Sequence, residues 1–297
     1  MCKPDTNLTF KTRFVNVFRN IFKISLFENI LVKLTNGKTP DTFVCKFVPN
    51  EYQYKQNSIR HTIRNTIKFE LDISDYLEHA IYFGFKDKAQ DELFALCKSG
   101  AIIIDIGTNI GYVLLNFARI AGNRGVVFGF EPNPITYNKC MKNISLNDFS
   151  NIKVFNMALG NESKEKILIV PYSRNMGGAY LTSTNSSDGG TKVAMNMLDS
   201  FVMENQISKI DLIKIDVEGF EFNVLNGAKE SIKKYKPILF IEIDDNLLQR
   251  QGITVKELIE FISTFGYFIV KADTGEEITK DYNFKNVHFD IICQIPK

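Results

Sequence analysis

The chain has 297 residues, 44% hydrophobic and 24% charged, ordinary globular values that exclude a disordered, collagen-like or disulfide-stapled small protein. Its five cysteines (Cys2, Cys45, Cys97, Cys140, Cys293) are odd in number, far apart and free of any C-x-x-C. That pattern speaks against a disulfide framework or a zinc site and for a reducing, cytoplasmic setting. No apolar run approaches the roughly 18–20 residues of a membrane span.

The net charge of +2 hides an asymmetry: residues 1–70 carry 12 Lys and Arg against 5 Asp and Glu, so the remainder is net negative. A basic front (1–70) attached to an acidic body (71–297) implies a separate role for the front. Within it, residues 10–34 predict a basic amphipathic helix: Phe14, Phe18, Ile21, Phe22 and Leu26 follow helical spacing, with Arg13, Arg19 and Lys23 between them. Its apolar stretches are too short for a signal-peptide core. Two readings remain, a helix packed on the main domain or peripheral membrane contact through residues 10–34. Beyond the turn cluster NGKTPD (36–41), the segments FVCKFV and HTIRNTIKFEL alternate as strands do, predicting a small β-rich lead-in.

Residues 87–98 read as a helix ended by Ser99-Gly100. From residue 101 the pattern is regular. Strands are expected at 101–106, 125–131, 151–159, 209–218, 237–243, 267–272 and 288–295, and helices at 111–121, 134–146, 228–235 and 254–266. Strands alternating with helices define an α/β, doubly wound sheet. Residues 171–191, rich in Ser, Thr, Asn and Gly, interrupt the pattern as a surface loop or a lid over a site.

The segment Asp105-Ile-Gly-Thr-Asn-Ile-Gly111 sits where the first strand turns into its helix, the place where such sheets bind nucleoside cofactors. Gly107 and Gly111 present no Cβ to a ligand. A dinucleotide fingerprint has glycine where this chain has Asp105, and a carboxylate there repels a pyrophosphate. It suits instead a cationic, amino-bearing ligand such as S-adenosylmethionine. Glu131, twenty residues past Gly111 at the end of the second strand, is placed to accept hydrogen bonds from ribose hydroxyls.

At this point the chain resembles a known family. DIGTNIG (105–111), GFEPNP (129–134), NMALGN (156–161), IDLIKIDVEGFEFNVLNGA (210–228) and PILFIEID (237–244) are similar to the FkbM-type, class I S-adenosylmethionine-dependent methyltransferases. The resemblance covers roughly residues 70–295. It implies a Rossmann-like, mostly parallel seven-stranded sheet with a C-terminal antiparallel strand, and methyl transfer to a hydroxyl oxygen. Carried over by position, Asp105, Gly107, Asn109 and Gly111 line the methionine and ribose part. Glu131 takes the ribose hydroxyls, Asn133 adds a contact near the adenosine, and Asn156 stands where many class I enzymes read the adenine amino group.

The fourth strand ends in Lys214-Ile-Asp-Val-Glu-Gly219, and alternation puts Lys214, Asp216 and Glu218 on one face. Three charged groups at a central strand end are poorly explained by packing, although Lys214 and Asp216 also suit a structural ion pair. Asp216 or Glu218 is the candidate base for an acceptor hydroxyl, and Lys214 the group that lowers the cost of negative charge on oxygen. Glu242 is a candidate partner of Lys214 or of substrate. Asp199, Asp216, Glu218, Glu242 and Asp244 resemble an oxygen-ligand set for Mg²⁺, but scattered carboxylates are common in acidic clefts and no metal ligand is assigned. His288, entering the last strand, reads as structural rather than catalytic.

Base-methylating enzymes carry an Asn/Asp/Ser-Pro-Pro-aromatic run after this strand, and here stands IDVEGFE. With a net negative body, nucleic acid is excluded as the partner. The expectation is an S-adenosylmethionine-dependent O-methyltransferase acting on a hydroxyl of a sugar, glycolipid or secondary metabolite. The alternatives are an NAD(P)-dependent oxidoreductase, which Asp105 opposes, and a non-catalytic nucleoside-binding module, which the charged face at Lys214, Asp216 and Glu218 opposes.

Overall fold

A computed structural model describes residues 9–170, 176–182 and 190–296. The loop expected at 171–191 lies largely outside the described residues. The chain divides into two compact units.

The smaller unit holds the described residues of Met1–Asp87 and Val170–Gly178. Its first helix, α1 (Phe10–Arg19), is capped by Thr9, whose side chain accepts from the Thr12 amide. A 3₁₀ turn (Asn20–Lys23) and an extended Ile24 separate it from α2 (Ser25–Thr35). The single helix expected over 10–34 is therefore two. Asn20 and Ser25 compete for backbone hydrogen bonds and Ile21 and Ile24 are β-branched, which makes this stretch a weak joint. Phe43–Phe47, expected as a strand, is also a 3₁₀ helix. Cys45 within it and Val48 just after it are buried, and a spacing of three is the 3₁₀ period rather than the strand's. The expected β-rich part is a hairpin of β1 (Ile59–Arg64) and β2 (Ile67–Asp72). Its two-residue turn puts Asn65 and Thr66 at φ 50° and 70°, the left-handed pair that suits the twist of a tight hairpin. α3 (Tyr76–Phe83) follows, with Asp75 as its N-cap and Gly84, at φ 68°, closing it. Residues 71–87 thus fold with the basic front, past the boundary that charge composition suggests.

The larger unit spans Lys88–Ile169 and Ala179–Lys297. In chain order it runs α4 (Lys88–Leu96), β3 (Ile102–Ile106), α5 (Tyr112–Ala121), β4 (Val126–Phe130), α6 (Pro134–Ser145) and β5 (Ile152–Phe155). It continues with β6 (Ala158–Leu159), β7 (Lys164–Ile169), β8 (Tyr180–Thr182), β9 (Thr191–Asn196), α7 (Leu198–Glu204) and β10 (Leu212–Ile215). It ends with α8 (Glu221–Asn226), α9 (Lys229–Tyr235), β11 (Ile238–Asp244), α10 (Asp245–Arg250), α11 (Val255–Ser263), β12 (Phe268–Lys271) and β13 (His288–Gln294). Seven strands form one sheet in the order β12-β13-β11-β10-β3-β4-β5. β11, β10, β3, β4 and β5 pair in parallel, while β13 is antiparallel to both neighbours. This is the Rossmann-like, doubly wound sheet with a C-terminal antiparallel strand.

The Ile-rich strands bury both faces, as parallel strands must. Ile103, Val127, Leu212 and Phe240 pack with Leu93 of α4, Leu114 and Phe117 of α5 and Cys140 of α6. On the opposite face Ile104, Phe130, Ile213 and Ile241 pack with Phe201 of α7, Val224 of α8, Ile232 of α9 and Leu258 of α11.

Two expected elements divide. The strand expected at 151–159 is β5 and β6, which belong to different sheets. Asn156 Nδ2 donates to the carbonyls of Glu131 (2.8 Å) and Pro132 (3.1 Å), so a side chain replaces the ladder there and the chain leaves the main sheet. A second sheet follows, β6-β9-β7-β8, which periodicity does not reveal. The helix expected at 228–235 is preceded by a separate α8, and the break falls at Gly227, whose Cβ, were there one, would lie 1.8 Å from the carbonyl oxygen of Gly160. The backbone beside the second sheet occupies the place of a side chain. Gly227→Ala is therefore expected to destabilise the larger unit by about 1–3 kcal/mol through overpacking, measurable as a lowered urea midpoint at unchanged slope.

Candidate active site

Two strand ends build the site, and the register of the sheet sets them side by side. Asp105 of β3 lies opposite Lys214 of β10, and opposite Gly129 of β4 on its other side. Past β3 the chain turns sharply. The amides of Gly107 and Thr108 both donate to the carbonyl of Phe130, and Thr108 Oγ1 donates back to the Asp105 carbonyl at 3.0 Å. Gly107 has φ 81°, and a Cβ there would fall 1.8 Å from the backbone oxygen of Asp216. Gly111, at φ 87°, stands against Cys140 of α6, whose Sγ would be 2.8 Å from a Cβ. Neighbouring chain thus leaves no room for a side chain at either glycine.

Glu131 is buried beyond β4. Its Oε2 accepts from the Asn109 amide (2.8 Å) and its Oε1 from the Asn133 amide (2.9 Å). Burial pushes its pKa up to about 7 against those two bonds. Asn109 reaches this position in the left-handed region, at φ 52°. Asn133 caps α6, its Oδ1 accepting from the Ile135 amide, and among the described residues its buried Nδ2 has no partner. Asn156, an exposed residue, spends its amide nitrogen on the carbonyls just past β4.

Asp105 is fully buried, and among the described residues neither of its oxygens has a hydrogen-bond partner. Burial raises its pKa, opposed by Lys214, whose Nζ lies 3.6 Å away. The cation that answers Asp105 is therefore a side chain of the protein, where the sequence reading supplies a ligand. Lys214 Nζ also donates to the Gly107 carbonyl at 2.8 Å and pairs with Asp216 Oδ2 at 3.0 Å. Burial opposes its charge, but Asp216 and Asp105 outweigh it and hold its pKa above the ordinary lysine value.

β10 ends at Ile215, so Glu218 does not share a strand face with Lys214 and Asp216 as alternation predicts. It reaches them through a turn, with Glu218 at φ 54° and Gly219 at φ 96°. The turn is held by Glu221, which sequence reasoning missed: its Oε1 accepts from the amides of Gly219 (3.0 Å) and Val217 (3.3 Å). The available signal was an acidic residue in the first turn of a helix, the position that favours a carboxylate. Glu242, near the end of β11, completes the group. One carboxylate oxygen each from Asp216, Glu218 and Glu242 lie within 4.8 Å of one another. Asp216 and then burial raise the Glu242 pKa well above the ordinary value, and burial, then Asp216, push Glu218 up to about 8. The other carboxylates considered for a cation act elsewhere. Asp199 accepts from the Glu230 and Ser231 amides of α9, and Asp244 caps α10 and meets His288 Nδ1 at 3.2 Å. His288 Nε2 lies 3.9 Å from Glu242.

A doubly wound sheet with a buried carboxylate beyond the second strand, and an acidic group beside the first strand's turn, defines a Rossmann-like domain. The sequence profile described as the Methyltransferase FkbM domain matches residues 105–269, more than half of the chain, and the chain belongs to that family. Among similar proteins, the hexuronic acid methyltransferase AglP of Haloferax volcanii is 27% identical over 180 residues, 60% of this chain and 65% of its own length. The 2-O-methyltransferase NoeI of Sinorhizobium fredii is 26% identical over 184 residues, 57% of this chain and 73% of its own. The solved methyltransferase FkbM of Methylobacillus flagellatus superposes with a TM-score of 0.45 at 16% identity, over 93% of this chain and 62% of that one. The alignments thus span just under two thirds of AglP and of the solved chain. No described helix is long and apolar enough to cross a membrane.

The raised pKa of Glu218 has a consequence for stability. Its folded value, about 8, lies above the ordinary 4.5, so the fold favours its protonated form. That contribution is whole below about pH 4.5 and is lost as pH rises through 8. Glu218→Gln is expected to melt higher than the parent at pH 9, by an amount on the order of 2 kcal/mol, and to converge with it near pH 4. Calorimetry at the two pH values checks the sign.

Proposed function

We propose that the chain is an S-adenosylmethionine-dependent O-methyltransferase whose acceptor is a hydroxyl of a sugar, glycolipid or secondary metabolite. The observation that carries the reading is the carboxylate group of Asp216, Glu218 and Glu242 at the end of β10 and β11, beside the β3 turn and its Lys214. Membership of the family and the two named glycan or O-methylating relatives support it. The cofactor, when bound, supplies an electrophilic methyl group and a neutral thioether leaving group.

The residues at the nucleoside end fit that cofactor. Glu131 has lone pairs left after its two backbone bonds, free for two ribose hydroxyls. The unpaired Nδ2 of Asn133 is a buried donor that a nucleoside acceptor atom satisfies. Asn156 Oδ1 is an acceptor for an adenine amino group. Gly107, Asn109 and Gly111 shape the turn. Asp105, being fully buried, acts through Lys214 and the turn rather than by direct contact.

Attack of an alcohol on a methyl group requires loss of the hydroxyl proton as the new bond forms. Asp216 and Glu218 are the candidates to take it. Glu218, with its pKa near 8, suits a base working close to neutral pH, while Asp216 is engaged by Lys214 Nζ at 3.0 Å. Lys214 offsets negative charge developing on oxygen. Of the three acceptor classes, a glycolipid would be met at the cytoplasmic face of a membrane.

A binding and turnover screen of the purified chain with S-adenosylmethionine against hydroxylated glycans tests the reading, and tighter binding of NAD than of S-adenosylmethionine would overturn it. Glu131→Ala is expected to weaken cofactor binding by about 1–3 kcal/mol in titration calorimetry. Asp216→Asn and Glu218→Gln are expected to keep cofactor affinity. The one that removes the base lowers turnover by roughly two orders of magnitude and abolishes the rise in rate with pH; near-native turnover in both places catalysis elsewhere.

A further inference from the structure

The front of the smaller unit is built inside out. A helix in a globular protein ordinarily turns its apolar stripe inward and its polar side to water. In α1 the buried residue is Asn16, and Phe10 (86% exposed), Phe14 (58%) and Val17 (65%) face outward. Hydrogen bonds fix this orientation, because the polar side is spent on the 46–54 segment. Asn16 Nδ2 donates to Tyr52 Oη at 3.1 Å, Arg19 Nε to the Lys46 carbonyl at 2.9 Å, and Lys23 Nζ to the Gln53 carbonyl. Gln53 Nε2 in turn donates to the Asn16 carbonyl and to Asn20 Oδ1. Asn16, Arg19, Asn20 and Lys23 make one helical row, and Phe10, Phe14, Val17, Phe18 and Ile21 make the opposite one.

α2 repeats the arrangement. Its inward row is Glu28, Leu31 and Thr35, anchored by the buried pair of Glu28 with Arg60 (2.6 Å) and by Thr35 Oγ1 donating to the Phe83 carbonyl. Its outward row is Leu26, Ile30 and Leu34. The patch extends through Phe22, whose ring lies 6.3 Å from Phe27 and 5.7 Å from Phe47, with Phe43 beyond it. Among the described residues, thirteen of the twenty large apolar side chains left exposed lie between Phe10 and Phe47. Scattered exposed apolar residues need no explanation, but a contiguous face of this kind does.

Charge selects what covers it. Arg13, Lys33, Lys38 and Lys46 are exposed against Asp41, while Arg19 and Lys23 serve the inward row and Glu28 is buried and paired, so the outer side is cationic. Two copies of such a face would repel each other. A bilayer with anionic headgroups satisfies both properties, since the apolar rows enter the acyl boundary while the cations meet the headgroups. α1 and α2, of 10 and 11 residues, are each roughly 15 Å long, half the thickness of a bilayer core, so they lie along the surface rather than cross it.

We propose that the outward faces of α1, α2 and the Phe43–Phe47 turn form a docking surface for an anionic membrane, whether or not the chain transfers methyl groups. The full chain is to be sedimented with vesicles of phosphatidylcholine alone and of phosphatidylcholine with phosphatidylglycerol, at low and high salt. Beside it runs the variant Phe14→Asp/Phe18→Asp/Ile30→Asp, in which every change is at an exposed position, with circular dichroism and thermal melting to confirm that its fold is kept. The expected result is binding to the anionic vesicles that salt weakens, and a loss of about tenfold or more in the variant. Absence of binding by the parent chain overturns the proposal, as does equal binding by the folded variant. Ultracentrifugation covers the remaining occupant: a parent dimer that the variant abolishes, without vesicle binding, assigns the face to a second copy and also overturns it.

Discussion

The larger unit depends on one buried ammonium group. Lys214 sits near the end of the central strand β10, where burial opposes any charge, yet Asp216 at 3.0 Å and Asp105 at 3.6 Å keep it charged. It also donates to the Gly107 carbonyl, so one side chain ties the β3 turn to the β10 end. The tie works because Gly107 has no Cβ, which lets the Asp216 backbone close onto the turn. Removing Lys214 would leave the fully buried Asp105 without its cation, which is more costly than never having the pair. The same contact fixes where the β3 turn and a group of carboxylates stand relative to each other.

Around that tie the charge balance is uneven. Asp105, Asp216, Glu218 and Glu242 gather about a single lysine. Burial and then Asp216 push Glu218 above the ordinary carboxylate range, and Asp216 and then burial do the same to Glu242. The cost is carried by the turn at Glu218 and Gly219, whose left-handed backbone is pinned by Glu221. At the other end, Glu131 is held by two amides that come from the β3 turn and from the α6 cap, so its position is set by the same strand ends.

The fold was legible where periodicity was. Ile-rich runs, glycines after strands and helical spacing marked all seven strands of the main sheet, because a strand buried on both faces must be continuously apolar. The second sheet was not legible, since β7 and β9 are half exposed with an ordinary mixture of side chains, and β6 and β8 are only two and three residues long. β5 and β6 merged in the sequence because nothing in the run NIKVFNMAL announces that the Asn156 side chain takes over from the ladder. Phe43–Phe47 looked like a strand because an apolar spacing of three and one of two cannot be told apart over five residues.

The sequence by itself determined the residue types at the site and the order in which the chain presents them: an acid before the first turn, an acid after the second strand, and a lysine followed by two acids after the fourth. Those are local facts, set by the chemistry a turn or a strand end can carry. Tertiary structure alone decided which of them meet. Glu218 joins Asp216 and Glu242 through a left-handed turn rather than a shared strand face, Asp105 finds its cation in Lys214 of another strand, and Asp199 and Asp244 cap helices. In the front unit the amphipathic pattern was plain, but not which side faced inward. That was settled by hydrogen bonds from Asn16, Arg19 and Lys23 to a segment some thirty residues away, and such pairings follow from packing and register rather than from any spacing within the helix.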